Sequence, residues 1–350
     1  MFQEENNLSR ITVTLPKTST YNLIQSLDKV SKKYNLLPPQ SKVIVGLSGG
    51  PDSMMLLHYL QAKHASGQIT LIATHLDHEW RPNSRNDVEF CAQQTEKFGV
   101  RFISAKISEL SFKPKFNGSK EDLGRLMRRH FFELIRTQEH ADLIALAHHM
   151  QDQQETFFIR MIRGSSLAGL TAMKPHQNHY IRPLLETNRA EILAYLEQNQ
   201  IPYLIDPSNE SDLFLRNRIR NKALPVLRTI DHRFDQNFAR TLAQLKEADE
   251  FLDELTLQAI ASISTIPDGK RILHTKEFNK IHPILQKRIV ISWLIEEQVP
   301  FTPTEKFLNE IILFLSKPAG KTHQLHTTWS IQKKQGLATI KKIFVSSNFD

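Results

Sequence analysis

Ser48-Gly49-Gly50-Pro51-Asp52-Ser53 follows the apolar run 43–47 and precedes the apolar run 54–60, an order that reads as strand, glycine turn, helix. Two glycines let a backbone take positive φ and approach an anion closely, and the unpaired N–H groups and dipole of the next helix face a phosphate. Ser48 and Ser53 add hydroxyl donors, while Pro51 suits a first helical turn, where its missing N–H costs nothing. The loop has neither the Lys-Ser/Thr ending of a Walker loop nor G-x-G-x-x-G spacing. It reads as a backbone-built grip for nucleotide phosphates.

Three other segments carry chemistry. His75-Leu76-Asp77-His78 ends the second strand candidate, where Asp77 could hold Mg²⁺ or orient a nucleotide, a hard cation preferring carboxylate and phosphate oxygens. Asp152 and Glu155 lie three apart at the start of a helix, so they share one face, which either decorates the positive helix end or grips an ammonium group. Arg216-Asn217-Arg218-Ile219-Arg220-Asn221-Lys222 carries four cations and no acid; such a run is either a solvated face or a phosphate-binding one. Arg125 and Arg128 share a helical face, free to neutralise phosphate or to pair with Glu121, and Arg163 precedes another glycine turn. His75, His78, His148 and Cys91 match no standard zinc spacing, so no zinc is expected.

The 350 residues suffice for two or three domains; 40% hydrophobic and 23% charged is globular composition. Forty-five basic against 37 acidic residues give +8 and a pI near 9.4, which favours an anionic partner such as nucleic acid. Cys91 is the only cysteine, which excludes an internal disulfide and a cysteine-held iron–sulfur cluster within one chain and suits a reducing cytoplasm. The first residues show no targeting pattern, and no run approaches the length of a membrane span, so the sequence predicts a soluble cytoplasmic protein.

The elements that must position these groups alternate. Strands are expected at 69–75, 100–105, 143–147 and 180–182 after the first at 43–47, with helices at 21–34, 85–98, 121–139, 151–163 and 187–199. Alternation predicts an α/β fold, a Rossmann-like parallel sheet with helices on both faces, whose ligands gather at the carboxyl ends of the strands. Beyond Pro225, helices at 234–263, 283–297 and 307–315 and a terminal β-hairpin over 322–331 and 337–344 predict a mainly helical second part. The expected organisation is a polar extension 1–20, a catalytic domain 21–228, and a connector with a substrate-binding domain 229–350.

The loop matches the SGGxDS signature of the PP-loop ATP pyrophosphatases, which split ATP into AMP and pyrophosphate while adenylating a carbonyl oxygen. Together with His75-x-Asp77-His78-x2-Arg81, Glu121-x3-Arg125-x2-Arg128, Ala147-His148-His149-x2-Asp152-x2-Glu155-Thr156, Arg163-Gly164-Ser165, Arg182-Pro183-Leu184-Leu185 and Asp206-x2-Asn209 through Arg220, in order over 42–228, the chain resembles the tRNA(Ile)-lysidine synthetase family. The resemblance implies ATP-dependent ligation of L-lysine to C2 of the wobble cytidine of the CAU-anticodon isoleucine tRNA, through an adenylated cytidine. It implies ATP contacts from Ser48, Gly49, Gly50, Pro51, Asp52, Ser53, His75 and Asp77, with Mg²⁺ on Asp52. It assigns catalysis to Asp52, Asp77, Arg125 and Arg128, lysine to Asp152 and Glu155, and tRNA to Arg163, Arg216, Asn217, Arg218, Arg220 and Lys222. A homodimer is implied by the same analogy. The alternatives are a PP-loop tRNA thiolase, against which the lone Cys91 speaks, an amidating ligase sharing only the loop, and a non-catalytic tRNA-binding protein, which would need no pyrophosphate cradle.

Overall fold

The structure is a computed structural model and describes residues 20–81, 84–114, 116, 120–171, 173–205, 214–318 and 321–343. The motif residues Asp206 and Asn209 and the polar stretch 1–19 lie outside the described residues.

Apolar runs make the first sheet. Strands β1 (Lys42–Gly46), β2 (Thr70–Asp77), β3 (Arg101–Lys106), β4 (Leu143–Ala145), β5 (His176–Gln177) and β6 (Tyr180–Ile181) lie in the order β3-β2-β1-β4-β6-β5. All neighbours pair in parallel except β5 with β6. The helices of this part are α1 (Thr20–Lys33), α2 (Pro51–Ala65), α3 (Ser84–Lys97), α4 (Lys120–Gln138), α5 (Met150–Ile162), α6 (Leu167–Leu170) and α7 (Arg189–Gln198). Alternation along β1 divides them: Val43 and Val45 bury against Leu27 of α1, Leu56 and Leu60 of α2 and Leu196 of α7, while Ile44 faces Phe131, Phe132 and Ile135 of α4. Gly46 ends β1 where a Cβ would stand 2.5 Å from Phe132 Cζ, so the strand end accepts no side chain without moving that ring.

The chain builds outward from β1 to β3 and then returns to place β4 on the other side of β1. Between β1 and β4 the strand order reverses, and the crevice beyond their carboxyl ends is where such sheets bind ligands.

Past this sheet come α8 (Leu215–Arg218), a π-helical turn (Ile219–Ala223), α9 (Leu224–Ile230) and α10 (Phe234–Ser262). The chain divides into two compact units at Thr241–Leu242, inside α10, whereas the sequence pattern changes earlier, where unbroken helix begins. The second unit adds α11 (Thr275–Phe278), α12 (Pro283–Glu296) and α13 (Glu305–Ser316), packed around Trp293, Phe278, Ile289 and Ile311.

The expected terminal hairpin is present as β10 (Trp329–Lys334) and β11 (Leu337–Lys342), closed by Gln335 and Gly336, both at positive φ. It belongs to an antiparallel five-stranded sheet with β7 (Ser264–Thr265), β8 (Ile272–His274) and β9 (Thr322–His326). The stretch 322–331, expected as one strand, turns at 327–328 and supplies both β9 and the start of β10. No helix among the described residues is long and apolar enough to cross a membrane.

Gly46→Ala is expected to lower unfolding free energy by about 1–3 kcal/mol, the usual cost of overpacking a core. Urea denaturation with an unchanged slope checks it, and an unshifted midpoint would mean that the Phe132 ring yields freely.

Candidate functional site

β1 delivers the loop into the crevice, and the loop shapes itself with its own hydroxyls. Ser48 N–H donates to Ser53 Oγ at 3.2 Å, Ser53 Oγ donates to the Gly50 carbonyl at 2.9 Å, and Gly50 N–H donates to Ser48 Oγ at 3.3 Å. Of the two glycines that allow positive φ, one takes it. Gly49 has φ +78° and a Cβ there would meet Leu204 Cδ1 at 2.7 Å, while Gly50 is extended at φ −70° and caps α2. Leu204 N–H fixes the Gly49 carbonyl at 2.9 Å. Pro51 occupies the start of α2 and Asp52 its first turn.

β4 delivers the second half. His149 caps α5: its Nδ1 accepts from Gln151 N–H at 3.2 Å, and its own N–H donates to Asp152 Oδ2 at 2.9 Å. This reciprocal box fixes the imidazole so that Nε2 stands 3.6 Å from Asp52 Oδ2 and 3.5 Å from Asp152 Oδ2. Burial opposes charge on Asp152, but His149, His148 and the capping N–H hold its carboxyl below the usual range. His148, enclosed, is pushed down to about 4 by burial, and its Nδ1 finds no partner.

Glu155, one turn along, has no exposed side-chain surface. Arg220 donates to both its oxygens, Nε at 2.6 Å and Nη2 at 3.0 Å, and Arg216 Nε approaches to 3.6 Å. The structure therefore joins groups that the sequence reading had assigned to different substrates: Arg216 and Arg220, expected to face tRNA, turn inward onto the carboxylate expected to take lysine. Asn217 is buried, whereas Arg218, Lys222 and Arg163 are exposed. Residues four apart on a helix share a face, which separates 216 and 220 from 218 and 222. Asp152 Oδ1 lies 4.0 Å from Arg220 Nη2, beyond hydrogen-bond reach.

The other expected site residues sit as follows. His75 is buried at the end of β2 and donates from Nδ1 to the Leu47 carbonyl at 3.1 Å, bracing the root of the loop. Asp77, also buried, accepts from Glu79 N–H at 2.8 Å and closes the turn after β2. Arg125 makes no hydrogen bond or ion pair among the described residues; burial and then Arg216 lower its pKa, and Asp152 is among its charged neighbours. Arg128 is exposed, and its charge adds to burial in pushing His78 down to about 4. Among the described residues no group of three or more His, Cys, Asp or Glu side chains is placed to hold a metal ion. Asp52 Oδ1 is buried without a hydrogen-bond partner.

The contacts of three residues escaped the sequence reading. Gln153 donates to the Leu185 carbonyl, Gln154 bonds Asp235 and Arg228, and Arg182 Nη1 donates to the Lys174 carbonyl, together anchoring α5 and the wall of the crevice. The H-x2-D spacing that makes the His149 box was visible, but histidine is not among the strong capping residues.

A glycine loop at the reversal point of a parallel sheet defines a nucleotide-binding α/β protein of the PP-loop kind. Residues 19–227 match the PP-loop domain family, and the chain belongs to that family. It is similar to proteins named tRNA(Ile)-lysidine synthase from Bacillus cereus (30% identity, covering 85% of this chain and 65% of the relative), Geobacillus kaustophilus (31%, 84% and 66%) and Bacillus licheniformis (33%, 78% and 59%). The chain thus spans about 65% of the Bacillus cereus relative's length. Among solved structures, the U34-tRNA thiolase NcsA from Methanococcus maripaludis aligns with TM-score 0.55 at 20% identity, covering 64% of this chain and 78% of that one, a likeness of fold.

Glu155→Ala takes from the mostly buried Arg220 its hydrogen-bonded counter-charge, leaving Asp152 at 4.0 Å, and is expected to cost about 3–5 kcal/mol. Chemical denaturation measures it; a loss below about 1 kcal/mol, the range of a surface pair, would show that the pair does not hold α5.

Proposed function

We propose that this protein joins free L-lysine to C2 of the wobble cytidine of the CAU-anticodon isoleucine tRNA, consuming ATP and releasing AMP and pyrophosphate. The observation that carries this reading is the adjacency of two acids across one imidazole, Asp52 of the phosphate loop and Asp152 of α5, at 3.6 and 3.5 Å. A phosphate grip and an ammonium-attracting carboxylate then border one crevice, as a reaction between an activated carbonyl and an amine requires. The names of the similar proteins point the same way.

In this mechanism the cytidine C2 oxygen attacks the α-phosphorus of ATP, and pyrophosphate leaves against the loop and the first turn of α2. The ε-amine of lysine then attacks C2, a C–N bond forms, and AMP departs with the former C2 oxygen. The amine sheds a proton as it attacks, and Asp152, partly buried where Glu155 is wholly so, is the carboxylate available to hold the ammonium beforehand. Asp52 Oδ1, buried and unpartnered, fits a Mg²⁺ that would offset phosphate charge. Arg125 stands ready to neutralise phosphate, since no acid of the described residues pairs with it. His75 and Asp77 act by bracing the loop and the β2 turn. Outward-facing Arg218, Lys222 and Arg163 serve tRNA phosphates, and the cytoplasm, where tRNA is modified, is the setting. The thiolase alternative has only Cys91, which is buried beside His75 with its thiol pushed up to about 12 by burial.

Incubation with ATP, Mg²⁺, labelled lysine and total tRNA is expected to place label in tRNA; ATP consumption without incorporation would sink the proposal. Arg218→Ala is expected to weaken tRNA binding and to reduce the slope of log affinity against log salt by about 1. Titrations at several salt concentrations check this, and an unchanged slope would remove Arg218 from the interface.

A further inference from the structure

We infer that His149 is a positioning residue: its Nε2–H, shared between Asp52 and Asp152, keeps the Asp152 carboxylate turned toward the incoming amine and ties the amine side of the crevice to the phosphate side. This rests on the lysine-ligating reading above, in which the imidazole marks where the two acids meet but is given no role in the reaction.

The hydrogen-bond pattern settles the tautomer. Nδ1 accepts from Gln151 N–H at 3.2 Å, so its lone pair is engaged and the ring proton sits on Nε2. Nε2 faces two carboxylate oxygens, at 3.5 and 3.6 Å. These distances exceed an ordinary hydrogen bond, so the ring acts on both carboxylates electrostatically, its polar Nε2–H edge facing two charged oxygens. The ring is almost wholly enclosed, so solvent does not screen the interaction.

Asp152 is the group this ring controls. Oδ2 is held by His149 N–H at 2.9 Å and faces Nε2, while Oδ1 looks toward Arg220 at 4.0 Å. Arg220 is already engaged by Glu155, yet it is the arginine close enough to draw Asp152 into a closed pair. The ring's pull on Oδ2 opposes that closure and leaves Oδ1 for the substrate ammonium. Capping alone does not call for histidine, because Asn, Asp or Ser caps a helix better. What histidine adds at this position is a second nitrogen that reaches α2.

His149→Asn separates the two roles, since asparagine can still accept from Gln151 N–H but has nothing to reach Asp52. The expected result, in the full chain assayed for lysine incorporation beside the wild type, is an unchanged urea midpoint, a lysine KM raised about tenfold or more, and kcat reduced less than about threefold. An unchanged lysine KM overturns the proposal, as does a loss confined to kcat. Should this variant fail to fold, His149→Ala with added imidazole is the second test: partial return of lysine KM is expected, and no response to imidazole overturns it. Failure of the wild type to incorporate lysine would instead overturn the functional reading, so the two failures are distinguishable.

Discussion

A carboxylate with no exposed surface is tolerated only when its charge is met, and Glu155 is met by Arg220 and Arg216. These partners lie some sixty residues later in the chain, so this one requirement seats α8 and the π-helical turn against α5. The Gln154, Arg228 and Asp235 contacts then carry the same seam to the start of α10. The α5 side of the crevice owes its shape to this buried network, where a change in one partner is felt by all of them.

The phosphate side depends on different physics. It is built mostly from backbone and hydroxyls, and its geometry follows from the parallel pairing of β1 with β4, which aligns Val43 with Leu143 and Val45 with Ala145. Both strands end at the same level, so the loop after one and the helix cap after the other face each other. His149 is where the two constructions meet: its cap belongs to α5 and its far nitrogen to α2. A rigid sheet thus sets the coarse position of the acids, and one imidazole sets the fine one.

Much of this fold is legible in the sequence. The apolar runs at 43–47 and 143–147 announced buried parallel strands, and the glycine pair between strand and helix announced the loop, because each signal is local. The partners of Arg216 and Arg220 were not legible. Within the run 216–222 nothing distinguishes a solvated cation from an inward one, since the deciding acid is distant in sequence. The same limit hid the role of His75, whose acceptor is the carbonyl of Leu47 on the neighbouring strand. The short strands β7 and β8 carry too few residues for a periodicity, and the turn at 327–328 is made by two threonines rather than by glycine or proline.

The π-helical turn at Ile219–Ala223 carries a further meaning for this chain's history. A wider turn of this kind absorbs one extra residue within a continuous helix. Removing that residue would let the turn tighten to ordinary helix, but losing a second would rotate everything that follows by about 100° relative to what precedes it. Leu224, fully buried, would leave its core, and Arg228 would swing away from Gln154 and Asp235. A stretch that looks like an interchangeable string of surface cations therefore has slack for one residue, held in the wide turn, and for no more.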